Sequence, residues 1–273
     1  MAVPSHLPAG VADSQSQQLT RSVAKALRIL ECFSERSPRL GFAELCEAVD
    51  LAPTTVRRLL ATMESLGYLQ HDSFGQYRLG PRSLALAAPA LAGYEIRNQA
   101  LPVLDELSTV TGLNANLAVL YEGRLLYLAC TSLNLPRRLH FGVPGRLAAI
   151  QGTAIGKVLL AHLPADEARR VLEKGGGLIA RTPRTVTRWE DLLEEFARVR
   201  ERGYAIDDEE VAAGGFCLAA PVRDRSGQVV AGISASGMTW EIDRTKVEGI
   251  ASAVTGQAET LSFKLGFAFA TEW

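Results

Sequence analysis

The chain has 273 residues, 47% of them hydrophobic and 22% charged, and a formal net charge of -1. That is enough apolar material for the cores of two ordinary domains, and the near-neutral balance excludes a polycationic mode of nucleic-acid binding. Residues 1–85 carry nine Lys/Arg against eight acids, so any contact with a polyanion must come from local placement of charge.

The four cysteines (Cys32, Cys46, Cys130, Cys217) are scattered, with no CxxC pair and no histidine cluster beside them. This argues against a disulfide framework or structural zinc and for a reducing, cytoplasmic setting. His71, His140 and His162 are too dispersed for a metal site, so neither metal nor cofactor is expected. Residues 1–18 lack a basic start followed by an apolar core and read as a disordered arm, not a signal peptide. There is no apolar run of about 18 residues to cross a membrane.

In residues 20–33, Val23, Leu27 and Leu30 recur at helical spacing, and Thr20 is a candidate N-cap. Residues 41–49 repeat the pattern with Phe42, Leu45 and Val49. After a short break, Pro53 suits the first turn of a further helix over 53–66, which Gly67 stops. Two short strands, Tyr68 to His71 and Gln76 to Leu79, then flank a turn containing Gly75. Three short helices and a hairpin are the element order of a winged helix-turn-helix.

On a wheel, the 53–66 helix turns Val56, Leu60 and Met63 inward and Thr54, Arg58, Ala61 and Ser65 outward. Small side chains let a backbone approach DNA, hydroxyls bond phosphates, and Arg reaches phosphates or guanine acceptors. Thr54, Thr55, Arg57 and Arg58 are the candidate major-groove residues, with Ser73, Gln76 and Arg78 as backbone contacts from the wing. A winged helix can also serve protein contacts, which would show little salt dependence.

Helices at 81–92 and 94–111 follow, and from about 113 the pattern changes. Strands are expected at Leu117 to Tyr121, Leu125 to Ala129, Arg138 to Phe141, Tyr204 to Ile206, Cys217 to Val222 and Val229 to Ala235. Helices are expected at about 153–162, 165–173, 188–202 and 240–265. Strand pairs on tight turns with helices between the groups predict an α+β sandwich around an antiparallel sheet.

Thr153 stands near the N-cap of the helix opened by Gly152-Thr153-Ala154-Ile155-Gly156-Lys157, a terminus whose amides suit a carboxylate; small residues there also suit close packing. Ser234 and Ser236 alternate with Ile233 and Ala235, so both hydroxyls lie on one face of a strand and need partners. Leu139, Phe141, Leu147 and Ile150 are candidates for an apolar lid. The acids Asp208 and Glu210 read as a solvated loop.

The stretches SVAKALRILECF, APTTVRRLLATMESLGYL with QYRLG after it, TAIGKVLLAHL, RGYAIDDEEVAAGGFCLAAPV and GISASG occur in this order between about 20 and 267. Together they resemble the IclR family of bacterial transcription regulators. The resemblance implies a homodimer or homotetramer that binds double-stranded operator DNA. Its C-terminal domain is then GAF-like and takes a small effector, often an organic acid, which alters operator affinity or contact with RNA polymerase. It also implies that the backbone at Ala154 and Ile155, the acid Asp207 and Cys217 line the effector pocket. The sequence departs from the family at Ala149-Ile150-Gln151-Gly152, where a Pro-Leu-His type stretch is usual.

The expected layout is a disordered arm at 1–18, a winged helix-turn-helix at 19–80, a helical linker at 81–93 and an effector-binding domain at 94–273. Without a G-x-S-x-G elbow, phosphate loop or H-E-x-x-H helix, an enzyme is not expected. The competing reading is a DNA-binding domain fused to a protein-interaction domain that takes no ligand.

Overall fold

The computed structural model describes residues 20–35, 37–131 and 142–268. The expected arm at 1–18, the strand at 138–141 and the lid residues Leu139 and Phe141 lie outside the described residues. The chain divides into two compact units between Gly93 and Tyr94.

The first unit runs α1 (Arg21–Glu31), β1 (Leu40–Gly41), α2 (Phe42–Val49), α3 (Pro53–Ser65), β2 (Leu69–His71), β3 (Gln76–Leu79) and α4 (Pro81–Ala92). Thr20 takes the N-cap position of α1, but its side chain makes no cap bond. Glu44 instead secures a helix start, its carboxylate accepting from the Gly41 amide at 2.6 Å. Asp50 ends α2 in the left-handed region (φ 49°), and Pro53 opens α3 at its first turn. Ile29, Leu45, Val49, Val56, Leu60, Met63 and Leu69 form one core, and the strands pair in the order β1-β3-β2. This is a winged helix-turn-helix. No residue of α4 is buried within the unit.

The second unit holds α5 (Glu95–Thr111), β4 (Asn114–Tyr121), β5 (Arg124–Cys130), β6 (Leu147–Ala149), α6 (Ala154–Ala161), α7 (Ala165–Lys174), α8 (Trp189–Arg202), β7 (Ala205–Asp208), β8 (Gly215–Arg223), β9 (Val229–Met238) and α9 (Val247–Lys264). The strands form one antiparallel sheet in the order β6-β5-β4-β9-β8-β7. One face packs Leu117, Leu128, Leu218, Ile233 and Ala235 against α5 and α9. Ala118, Tyr127 and Ala219 belong to a second core with α6 and α8.

Several elements differ from the sequence expectation. β4 starts at Asn114, because its first residues alternate Asn with Ala and carry little strand propensity. Leu147, expected in an apolar lid, instead opens the edge strand β6, which pairs with β5. α9 begins at Val247 rather than 240, after a turn capped by the Asp243 carboxylate.

Every residue of α6 is buried, and two glycines allow it to lie so close. A Cβ on Gly156 would collide with the Ile150 carbonyl oxygen, and one on Gly232 of β9 would stand 2.8 Å from the Ile155 side chain. Gly256 in α9 meets nothing within 4 Å. Gly156→Ala should therefore destabilise the protein by about 2 kcal/mol or more through overpacking. Gly256→Ala should raise stability by up to about 1 kcal/mol, since Ala loses less backbone freedom in a helix. Urea unfolding checks both signs.

Candidate functional site

Two sites emerge, one in each unit. In the first, α3 buries Val56, Leu60 and Met63 and exposes Thr54, Arg57, Arg58, Ala61, Thr62 and Ser65, with Thr55 half-buried. The guanidinium of Arg57 lies over the Phe42 ring at 4.7 Å, which fixes its direction. Thr62 and Ser65 donate to their own helix, to the carbonyls of Arg58 (2.9 Å) and Thr62 (2.8 Å). Those two hydroxyls therefore serve the helix first.

The wing turn is built on Asp72. Its carboxylate accepts from the amides of Phe74 and Gln76, both at 3.0 Å, and from the Arg39 guanidinium at 2.8 Å. These bonds hold the Asp72 carboxyl below its usual range. Ser73 and Arg78 are exposed and Gln76 is half-buried, while Tyr77, on the opposite face of β3, stacks on His71 at 4.6 Å.

The second site is a polar band across a buried sheet face. Cross-strand partners point the same way, and the register pairs Asp207 with Cys217, Cys217 with Ser236, and Ser236 with Asn114. The adjacent row pairs Ala205, Ala219, Ser234 and Asn116. Asn116 gathers the two serines, its Nδ2 donating to Ser234 Oγ at 3.2 Å and Ser236 Oγ at 3.0 Å. A Cβ on Gly142 would strike the Asn116 amide and come within 3.1 Å of the Tyr127 ring, so residue 142 must be small.

The strand-to-loop step after β7 closes one end of the band. Asp207 Oδ1 accepts from the amides of Glu210 (2.9 Å) and Val211 (3.4 Å). Thr182 and Thr185 donate to the carbonyls of Glu209 and Glu210 at 2.7 and 2.6 Å. The side chain of Glu210 is buried and forms an ion pair with Lys157, which is itself only 2% exposed. That corrects the sequence reading of Glu210 as a solvated acid: a second buried charge, on α6, holds it inside. Asp208 does lie at the surface, paired with Arg184 at 2.9 Å.

Among the sequence candidates, Asp207, Cys217, Ser234 and Ser236 come together on this face. Thr153 caps α6, accepting from the Gly156 amide at 3.1 Å, and so spends its oxygen on the helix. The side chains of Ile150, Ala154 and Ile155 are buried apolar groups, which leaves backbone as their means of meeting a ligand. A Cβ built on Gly152 would touch Val211 and Glu210, so the start of α6 adjoins the Asp207 loop. Asn114, Asn116, Tyr127, Lys157 and Glu210 were missed. For the asparagines the signal was present, since Asn114 and Asn116 alternate just as Ser234 and Ser236 do.

Burial governs the electrostatics. It pushes the Asp207 carboxyl up to about 7, against the Glu210 amide and the Lys157 charge. Burial, with the Asp207 charge next, pushes the Cys217 thiol up to about 12. The Tyr127 phenol is raised as well, first by burial and then by Cys217. Cys217 as a residue is half-buried. Two buried acceptors of this region, Asn114 Oδ1 and Glu210 Oε2, have no partner among the described residues. Two open concavities, of about 480 Å³ near Arg28 and Asp50 and about 320 Å³ near Arg223 and Ser262, touch none of these groups.

Two family models match the chain: IclR helix-turn-helix domain over residues 22–73, and Bacterial transcriptional regulator IclR C-terminal over residues 88–263. The HTH-type transcriptional regulator BhcR of Paracoccus denitrificans is 34% identical over 244 residues, 89% of this chain and 86% of that protein. An IclR transcriptional regulator from Alicyclobacillus acidocaldarius superposes with TM-score 0.78 at 28% identity, covering 91% of this chain and all of that one (100%). An IclR homologue from Microbacterium hydrocarbonoxydans, complexed with 4-hydroxybenzoate, superposes with TM-score 0.74 at 26% identity over 89% of this chain and 98% of that one. The antiparallel sheet with its flanking helices is the GAF-like sensor fold expected from the sequence.

The raised Asp207 carboxyl has a consequence for stability. The native state keeps this proton up to about pH 7, whereas an unfolded chain releases it near its ordinary value of about 4. Stability from this group is therefore fully present on the acid side of that window and is lost as pH rises through 7. Between about pH 5 and about pH 8 the urea midpoint of Asp207→Asn, relative to that of the unaltered chain, should rise. A constant difference would place the carboxyl at an ordinary value.

Proposed function

Since the chain belongs to the IclR family of bacterial transcriptional regulators, we propose that its second unit binds a small organic acid that controls how the first unit engages operator DNA. The observation that carries this reading is the polar band. Ser234, Ser236, Asn116 and Asp207 lie on a sheet face otherwise packed with apolar side chains, beside buried acceptors that lack partners among the described residues. Buried polar groups cost free energy unless paired, and a ligand with a carboxylate and a hydroxyl would supply acceptors and donors together.

The charges narrow the mode of recognition. Lys157 is already neutralised by Glu210, so it offers no spare cation to an anion. The carboxylate is bound by the serine hydroxyls, by amides at the start of α6 and by Asp207 while that group holds its proton. The 4-hydroxybenzoate of the Microbacterium homologue has the matching pair of groups. Catalysis is not part of this reading: Cys217 is held as the thiol, and both serines bond Asn116 rather than a base.

In the first unit, Thr54, Thr55, Arg57 and Arg58 enter the major groove, and Ser73, Gln76 and Arg78 meet phosphates from the wing. The protein works as a homo-oligomer in the cytoplasm, as a dimer or tetramer on a pseudo-palindromic operator, and the effector acts through operator affinity or contact with RNA polymerase. Leu84 and Leu86 of α4, 76% and 55% exposed, are apolar groups that a second copy would cover. One observation favours the competing reading of a ligand-free protein-interaction domain: the polar band opens onto neither surface concavity.

A thermal-shift screen against aromatic, keto and sugar acids separates the two. An effector at about 100 times its dissociation constant should add about 2.7 kcal/mol of stability, and the shift should vanish in Ser234→Ala/Ser236→Ala. Arg58→Ala should weaken operator binding and leave that shift intact. A folded, DNA-binding protein that no acid stabilises would support the ligand-free reading instead.

A further inference from the structure

Phe74 at the tip of the wing is 86% exposed, more than any other large apolar side chain among the described residues. Its position is held by the turn and not by contacts of its ring. The Phe74 amide donates to Asp72 Oδ1 at 3.0 Å, the Gln76 amide binds the same oxygen, and Arg39 clamps the other carboxylate oxygen at 2.8 Å. Gly75 takes φ 77°, a left-handed conformation that closes the turn. The Gly75 amide also reaches the Asp72 carbonyl at 3.2 Å, and the Asp72 amide reaches the Gln76 carbonyl at 2.9 Å.

The result is an aromatic ring projected into solvent on a rigid four-residue turn. The one carboxylate of that turn is engaged by Arg39, so it presents little unpaired negative charge. Arg78 and Ser73 are exposed on the same hairpin. A phosphate-facing hairpin needs polar groups alone, so a preorganised exposed ring calls for a different contact. Apolar side chains that reach DNA from such positions enter the minor groove and partly unstack a base step, which kinks the duplex.

We propose that Phe74 is an apolar wedge that enters the minor groove of bound DNA beside the α3 contact and unstacks one base step there. The proposal rests on the DNA-binding reading of the first unit. It adds a contact that favours flexible pyrimidine–purine steps through deformability and not through hydrogen bonds.

The test uses the full-length protein and a duplex that it enriches from a random-sequence pool. Phe74→Ala should bind this duplex about tenfold more weakly, the size expected for one lost stacking contact. The dependence of its affinity on salt should be unchanged, because no phosphate contact is lost. The bend measured by circular permutation should shrink, and 2-aminopurine placed at the wedge step should lose its binding-induced rise in fluorescence. Phe74→Leu should retain most of both signals. Arg58→Ala, by contrast, should lower the salt slope by about one and still bend what it binds. Phe74→Ala that binds within about twofold of the unaltered chain and bends the duplex equally would overturn the wedge, with the DNA-binding reading untouched. Enrichment of no sequence by the unaltered chain would overturn that reading and the wedge with it.

Discussion

The hydrogen bonds from Asn116 to Ser234 and Ser236 are the constraint on which the second unit turns. A six-stranded antiparallel sheet covered on both faces has no reason, on packing grounds, to place hydroxyls and amides inside. One face obeys that rule, with Leu117, Leu218, Ile233 and Ala235 closed by α5 and α9. The other face carries two polar rows. Once Ser234 and Ser236 are interior they must be paired, so Asn116 is fixed opposite them, and the space beside Asn116 leaves room only for glycine at 142. A polar cluster of this kind specifies one register of β4 on β9, since a one-residue slip would turn Asn116 into the apolar core.

The same face is closed by α6, and its closure depends on charge as well as on packing. Lys157 projects from a helix whose every residue is buried, and its partner Glu210 belongs to the loop that also fixes Asp207. Cover and loop are thus tied by an ion pair with one carboxylate oxygen left unpartnered among the described residues. Removing a single member of such a pair strands the other charge, so the two residues act as a unit. A group bound beside Asp207 would change the field felt by both, which gives the site a means of biasing the loop and α6 together.

Much of this was legible in the sequence. The helical period of Val56, Leu60 and Met63 placed α3 and its outward face, and Gly67 and Gly75 marked the breaks around it. The alternation of Ser234 with Ser236 identified an inward polar pair. What stayed hidden has physical causes. Asn114 and Asn116 lie in a segment of poor strand propensity, so β4 was begun three residues too late and the partners of the serines went unseen. Glu210 stands among four consecutive acids, a pattern typical of a solvated loop, and only the fold brings Lys157 across 53 residues to neutralise it. Thr153, placed near the N-cap from the sequence, does cap α6 through its side-chain oxygen.

In the proposed function the polar band and the α3 face are thermodynamically linked, so a ligand at one changes affinity at the other. The most direct measurement is reciprocal linkage: operator affinity with and without a saturating effector, and effector affinity with and without a saturating operator duplex. Coupling through binding free energies must be symmetric, so both titrations should give the same factor, in the range of about 5- to 150-fold typical of allosteric proteins. The factor should fall to one when Ser234 and Ser236 are both replaced by Ala. Effector and operator affinities that are each indifferent to the other ligand would exclude control through operator affinity and leave only contact with RNA polymerase.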